Sequence, residues 1–205
     1  MTDDSLSRAL ADWIMESALN GASMTSLVEG AANRVLGNGV PLRRAHVTFR
    51  TLHPSFESVS LVWRREEGVF SQEFVHGSAM HNGWTQSPFA FMIQNGTKYL
   101  RRRLTGESAV LDFPVFEEFV EEGFTDYFAV TVPFDSREIA LAGNRPDGIA
   151  TSWITDRAGG FSDAHIAALQ HLVPRLAVAC KLAIREQIAR NVANAYLGNS
   201  AGQQV

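Results

Sequence analysis

The chain has 205 residues, of which 45% are hydrophobic and 10% aromatic, enough for one domain with its own core, alone or with an appendage. A net charge of −4 and a pI near 5.9 give no bulk positive field, which excludes nucleic-acid binding by charge alone. The single cysteine, Cys180, excludes an intrachain disulfide framework and suits a reducing compartment.

The start, MTDDSLSRAL, is acidic and polar and does not read as a signal peptide. No apolar run reads as a bilayer span, so a cytoplasmic protein with neither membrane nor nucleic-acid partners is expected. Residues 1–38 read as N-terminal helices. Leu6, Leu10, Trp13, Ile14 and Ala18 form a helical stripe over Asp3–Leu19, which Asp3 or Asp4 could cap and Asn20-Gly21 ends. Ser23 or Thr25 opens a second helix with Leu27, Val28, Ala31, Val35 and Leu36 inside, and Gly37-Asn38-Gly39 closes it.

The texture changes at Val40, and 39–172 reads as the domain core. Ala45–Arg50 and Ser58–Arg64 alternate apolar and polar residues around a break at Leu52-His53-Pro54, as in an antiparallel hairpin with a long loop. Arg64 to Gly68 is a solvated turn, and Val69–Val75 a third, shorter strand. Gly77–Trp84 reads as a loop. Ser87 is placed to cap a helix that has Pro88 at its first position and Phe89, Phe91, Met92 and Ile93 after it, ended by Asn95-Gly96. Arg101, Arg102 and Arg103 in Tyr99–Leu104 cannot all share one face, and read as a solvated surface or a phosphate patch. Phe113–Glu122 reads as a short amphipathic helix with Phe116, Phe119 and Val120 inward and its glutamates outward. Asp126–Phe134 is a strongly apolar, central strand. Asn144–Gly148 is a tight turn, and Gly148–Thr155 the last strand.

Residues 161–197 form one long helix, capped by Ser162 with Asp163 at the positive end of its dipole. Ile166, Leu169, Val173, Leu176, Cys180 and Ala183 recur at spacings of three and four, an a/d seam that drifts onward to Ile184, Ile188, Val192 and Ala195. Pro174 should kink the helix or divide it. Leu169, Val173, Leu176, Cys180, Ile184 and Ile188 are therefore expected to pair with a second copy in a homodimer. The alternative is a long core helix that frays. Residues 198–205 read as a linker.

Two helices, three strands, two helices, two strands and a final helix make an α+β fold: an antiparallel sheet bracketed by terminal helices, with a looped cavity on its other face. That is the layout of GAF and PAS-type sensor domains. Leu52-His53-Pro54, Ser87-Pro88-Phe89, Thr125-Asp126-Tyr127, Ser152-Trp153-Ile154-Thr155-Asp156, Gly159-Gly160-Phe161-Ser162 and Tyr196-Leu197-Gly198, in this order, resemble the N-terminal GAF-like regulatory domain of bacterial class III adenylate and guanylate cyclases. The resemblance covers nearly the whole chain. It implies a parent protein that converts ATP to cyclic AMP and pyrophosphate with Mg2+ or Mn2+ in a catalytic domain absent from these residues. The metal-binding aspartates of such a domain have no counterpart here, so no residue of this chain is assigned catalysis.

The remaining chemistry is that of a binding cavity for a small, partly apolar ligand, mostly apolar with a few placed polar groups. Trp63, Phe74, His76, Trp84, Phe89, Phe91, Met92, Tyr127 and Trp153 are the candidates to line it. His46 reads as a strand residue. His76 and His81 with Glu73 nearby are too few and too irregularly spaced for a metal site; haem held by His76 or His81, giving a redox or gas sensor, is one alternative. Cys180 on a helical seam reads as an inert thiol, and neither a Gly-x-Ser-x-Gly elbow nor a P-loop is present. The other alternative is a dimerisation module with a filled core and no ligand.

Overall fold

The computed structural model describes residues 3–50, 56–75, 84–134 and 148–197. Among these, α1 (Asp3–Leu19) and α2 (Met24–Gly37) lead into β1 (Arg44–Arg50), β2 (Phe56–Arg64) and β3 (Gly68–Val75). Then follow α3 (Pro88–Gln94), β4 (Tyr99–Arg103), α4 (Pro114–Glu121), β5 (Asp126–Pro133), β6 (Gly148–Thr155) and α5 (Asp163–Leu197). The strands form one antiparallel sheet in the order β3-β2-β1-β6-β5-β4. The fold is α+β, with N-terminal helices and a long C-terminal helix as expected.

The helix starts follow local capping chemistry. Ser23 Oγ accepts the Ser26 amide at 3.1 Å, Ser87 Oγ the Ala90 amide at 3.1 Å, and Ser162 Oγ the His165 amide at 3.2 Å. Each satisfies an orphan N–H of a first turn, worth about 1 kcal/mol. Pro88 and Pro114 sit at helix starts, where no N–H is missed. Tyr99–Arg103 departs from expectation: it is an edge strand, paired with β5 from Tyr99↔Val130 to Arg103↔Asp126. Alternate arginines on an edge strand point to opposite faces, and each finds a different set of partners.

One sheet face carries α1, α2 and α5. Its interior runs through Ala45 and Val47 of β1, Leu61 and Trp63 of β2, Phe128 and Val130 of β5, and Ile149 and Trp153 of β6. Ala45 lies in register between Trp63 and Trp153, a small residue between two large ones. On α5, Leu169, Val173, Leu176 and Cys180 are fully buried and Ile184 nearly so, all within this same core; Ile188 packs against its end. The seam expected to meet a partner is thus covered by the chain's own sheet and helices, because an apolar stripe finds its nearest apolar surface first. The helix is not divided at Pro174, which lies inside the continuous element. By length, and by a mean hydropathy of 1.3 in its most apolar 18-residue stretch, α5 does reach the composition of a membrane-crossing helix, contrary to expectation, but it uses its apolar side on the sheet.

α1 runs alongside α5. Leu10 and Ala11 share a groove with Ala164, Ala168 and Leu172 of α5, and Gly21 lies beside Glu186. α1 also rests on α2 at Gly30, where any Cβ would stand 2.3 Å from the Trp13 ring. The Arg34 guanidinium closes over that ring at 3.9 Å.

Candidate functional site

The opposite face carries α3 and α4, and its side chains form a grid set by strand register. One cross-strand row reads Arg64, Arg44, Ile154, Tyr127 and Arg102. The next reads Val62, His46, Ser152, Ala129 and Leu100, and the third Ser60, Thr48, Ala150 and Thr131. Over the grid lie Phe89 and Met92 of α3, Phe116 and Phe119 of α4, and Trp84 beside them. The lid is aromatic and tightly joined: Phe116 is 4.9 Å from Tyr127, and Phe119 is 5.7 Å from Phe124.

A polar band therefore crosses the middle of a two-sided sheet, where an apolar run would be ordinary. Ser60, Thr48 and Ser152 are buried, and Tyr127 is 3% exposed. The Tyr127 phenol is hydrogen-bonded with Ser152, while burial pushes its pKa well above the ordinary value. Thr48 Oγ1 donates to the Val59 carbonyl at 3.3 Å. Among the described residues two atoms in the band have no partner: Arg44 Nε and His46 Nε2, both fully covered. The His46 ring stands 5.5 Å from Phe89, and burial followed by the Arg44 charge lowers its pKa to about 3, so it is neutral near pH 7. Arg44 lies over Phe119 at 5.3 Å. Burial, then the Arg64 charge directly across the strand pair, lowers its pKa to about 10. Arg64 has its own counter-ion in Glu122 at 2.6 Å.

Of the cavity residues expected from sequence, Phe89, Met92 and Tyr127 come together here, with Trp84 packed alongside. Trp63 (2% exposed) and Trp153 (1%) do not: both face α5 on the far side of the sheet, and Trp153 Nε1 donates to Thr151 Oγ1 there at 3.1 Å. Strand parity places them opposite to Tyr127, so the nine residues cannot line one cavity. Phe91 is 39% exposed on the outside of α3, edge-on to Phe113. Phe74 has a backbone place in β3; its side chain, with His76 and His81, lies outside the described set. Among the described residues no cluster of three His, Cys, Asp or Glu could hold a metal ion. Arg44 and His46 were missed. The signal was available in Arg44-Ala45-His46-Val47-Thr48, where a strand buried on one face by Ala45 and Val47 sends Arg, His and Thr to the other.

The same sheet connects this face to α5. Asp126, next to Tyr127 on β5 but facing the other way, is fully buried. Its carboxylate accepts Arg101 Nη2 at 2.8 Å, and it accepts the Phe161 amide at 2.9 Å; Arg103 Nη1 lies 3.2 Å away. Arg101 also donates to the Phe161 carbonyl at 2.6 Å, and Arg103 to the Gly159 carbonyl. Gly160 makes this knot possible, with φ +68° and the Asp126 side chain 2.6 Å from where a Cβ would be. Arg102 faces away and pairs with Asp112 at 2.7 Å. The arginine triplet is thus committed to carboxylates and carbonyls of its own chain. Cys180 is buried and its pKa pushed up to about 12, an inert thiol.

No protein-family model and no curated protein matches the chain. Solved structures do. A phycocyanobilin-bound GAF domain from a cyanobacterial phytochrome is similar over 90% of this chain and 97% of its own, at 13% identity and a TM-score of 0.52. A phycoerythrobilin-bound GAF domain from a cyanobacterial phytochrome covers 91% and 97%, at 15% identity and 0.51. A GAF sensor protein from Burkholderia vietnamiensis covers 90% and 99%, at 9% identity and 0.50. At such identities the likeness is one of architecture: the chain has the GAF fold.

Proposed function

We propose that the chain is the sensor domain of a signalling protein, binding a small ligand under α3 and α4 and passing its occupancy to α5. The observation that carries this is the polar band with two covered, unpartnered atoms beneath an aromatic lid; buried polar groups are otherwise almost always paired. Pockets that combine apolar walls with a few convergent polar groups are where small molecules bind. The bilin-bound domains of the same fold agree with a ligand in this setting. β5 supplies the route outward, since Tyr127 faces the band and Asp126 holds Phe161, just ahead of α5. A ligand shifts such a device only through contacts that differ between its two states.

The test is a thermal-shift screen of organic acids, bases and neutral ring compounds, followed by amide hydrogen exchange at Phe161–Ile166. A binder that raises the melting temperature and changes exchange at that turn is expected. A chain that no compound stabilises is the ligand-free structural module instead.

The partner copy belongs to this proposal too, on a different face from the one the sequence suggested. Val178, Leu182 and Val192 are exposed at 62%, 45% and 50% on the outside of α5. With Arg185 and Ala189 they repeat at spacings of four, three, four and three, a second seam free of the core. Met15 and Leu19 of the adjacent α1 are exposed as well. A homodimer closing over these residues would align the two exit helices. A class III cyclase as the parent protein is carried by the sequence resemblance alone; a cyclase homology domain encoded after residue 205 would support it, and another output domain there would remove it.

A further inference from the structure

The unpartnered band also carries information about the ligand's chemistry, given that this face is the binding site. Arg44 is a half-buried cation whose Nε is fully covered. Its cross-strand neighbour is a second cation, Arg64, and the nearby Glu122 is already committed to Arg64. Among the described residues no carboxylate forms an ion pair with Arg44; its guanidinium lies over the Phe119 ring, and Tyr127 and Glu122 favour its charge only from a distance. A partly buried guanidinium whose Nε is covered and unpartnered is costly, and the requirement is for a negative group. His46 lies two residues on along β1, on the same face, roughly 7 Å away by strand geometry. Its neutral imidazole asks for a hydrogen-bonding neutral group rather than a second charge. The walls between and above the two are Phe89, Phe116, Phe119 and Tyr127, which favour a flat ring.

We propose that the ligand is a small aromatic monocarboxylate: its carboxylate pairs with Arg44, its ring lies under the α3/α4 aromatics, and a polar substituent at the far end meets His46 Nε2. The carboxylate supplies the planar two-oxygen partner that a guanidinium fork is shaped for. The second cation, Arg64, strengthens selection for an anion without having to release Glu122.

The experiment compares 4-hydroxybenzoate with 4-hydroxybenzamide, the same shape without the charge, by calorimetry and thermal shift on the whole chain. The acid is expected to bind wild type about tenfold more tightly or better, as a charge-assisted pair should. It should also raise the melting temperature in proportion to occupancy. Arg44→Met is expected to reduce the preference for the acid to within about twofold, while Arg44→Lys keeps a weakened preference. The free Arg44→Met protein should melt no lower than wild type, because it loses a partly buried charge that has no ion-pair partner. If Arg44→Met folds poorly, Arg44→Lys and Arg44→Gln give the same comparison. Equal binding of acid and amide to wild type, or an undiminished preference in Arg44→Met, would overturn the anion assignment and leave the pocket standing. If no ring acid or amide in a wider panel binds, both the anion and the pocket fall.

Discussion

At the residue scale, His46 and Asp126 stand on opposite faces of the same sheet, each with a measurable consequence. The His46 pKa is lowered to about 3 in the folded chain, by burial and by Arg44, against 6.5 when exposed. Above pH 6.5 both states are neutral at this position and it has no effect. As pH falls below 6.5 the unfolded chain takes up a proton that the folded chain refuses, so stability is lost progressively toward pH 3, at up to about 1.4 kcal/mol per pH unit. Around the ring are Phe89, the Arg44 guanidinium and, across β6, Ser152; the Tyr127 phenol does not titrate in this range. His46→Phe should flatten that part of the urea-denaturation profile between pH 6.5 and 4; an unchanged slope would show that His46 is protonated as freely as an exposed histidine. Asp126→Ala leaves Arg101 and Arg103 without their shared carboxylate and the Phe161 amide without its acceptor. A loss of about 3 kcal/mol is expected, a drop of roughly 6–12 °C for a chain of this size, read by calorimetry. Neither role was visible from composition. Asp126 reads as the polar edge of an apolar strand until the strand is paired and its facing set, and His46 reads as an ordinary strand residue for the same reason.

At the element scale, the sequence was most legible where one residue's chemistry decides the structure. Ser87 and Ser162 cap the helices they were expected to cap, Ser23 rather than Thr25 caps α2, and the α1 span matches because its apolar stripe repeats cleanly. Legibility failed where the outcome depends on what lies opposite. β4 was obscured by three arginines whose neutralising partners, Asp126 and Asp112, are distant in sequence. The cavity set was split because Trp63 and Trp153 were grouped with Tyr127 by chemistry, although pairing in register sends them to the other face. The α5 seam had the right spacing and the wrong partner, since periodicity reports an apolar face without saying what covers it. The α1–α2 contact gives a test at this scale. Gly30→Ala favours the helix by about 1 kcal/mol on propensity alone, but the new methyl meets the Trp13 ring. Overpacking of this kind costs about 1–3 kcal/mol. A net destabilisation in urea is expected, reversed in the Trp13→Leu/Gly30→Ala double variant. A stabilised single variant would mean that α1 is held elsewhere.

At the scale of the whole molecule, a sheet separates two jobs. One face anchors the terminal helices on an apolar core, and the other holds a polar band under short aromatic helices. α5 has one seam spent on its own sheet and a second facing outward. Val178→Glu with Leu182→Glu should yield a monomer by sedimentation equilibrium with a melting temperature within a few degrees of wild type, since surface changes usually move stability by less than about 0.5 kcal/mol each. Leu176→Asp, which puts a charge into the core, should instead fail to fold. A dimer that survives the outer-seam pair would place the interface on another surface. The central claim is occupancy of the band between the sheet and the α3/α4 lid. The most direct measurement is native mass spectrometry of the chain with a panel of ring carboxylates and their amides, wild type beside Arg44→Met. The account predicts one added ligand mass for each 22.5 kDa protomer in wild type, drawn from the acids and lost in Arg44→Met. Bare protein masses with every compound would contradict it.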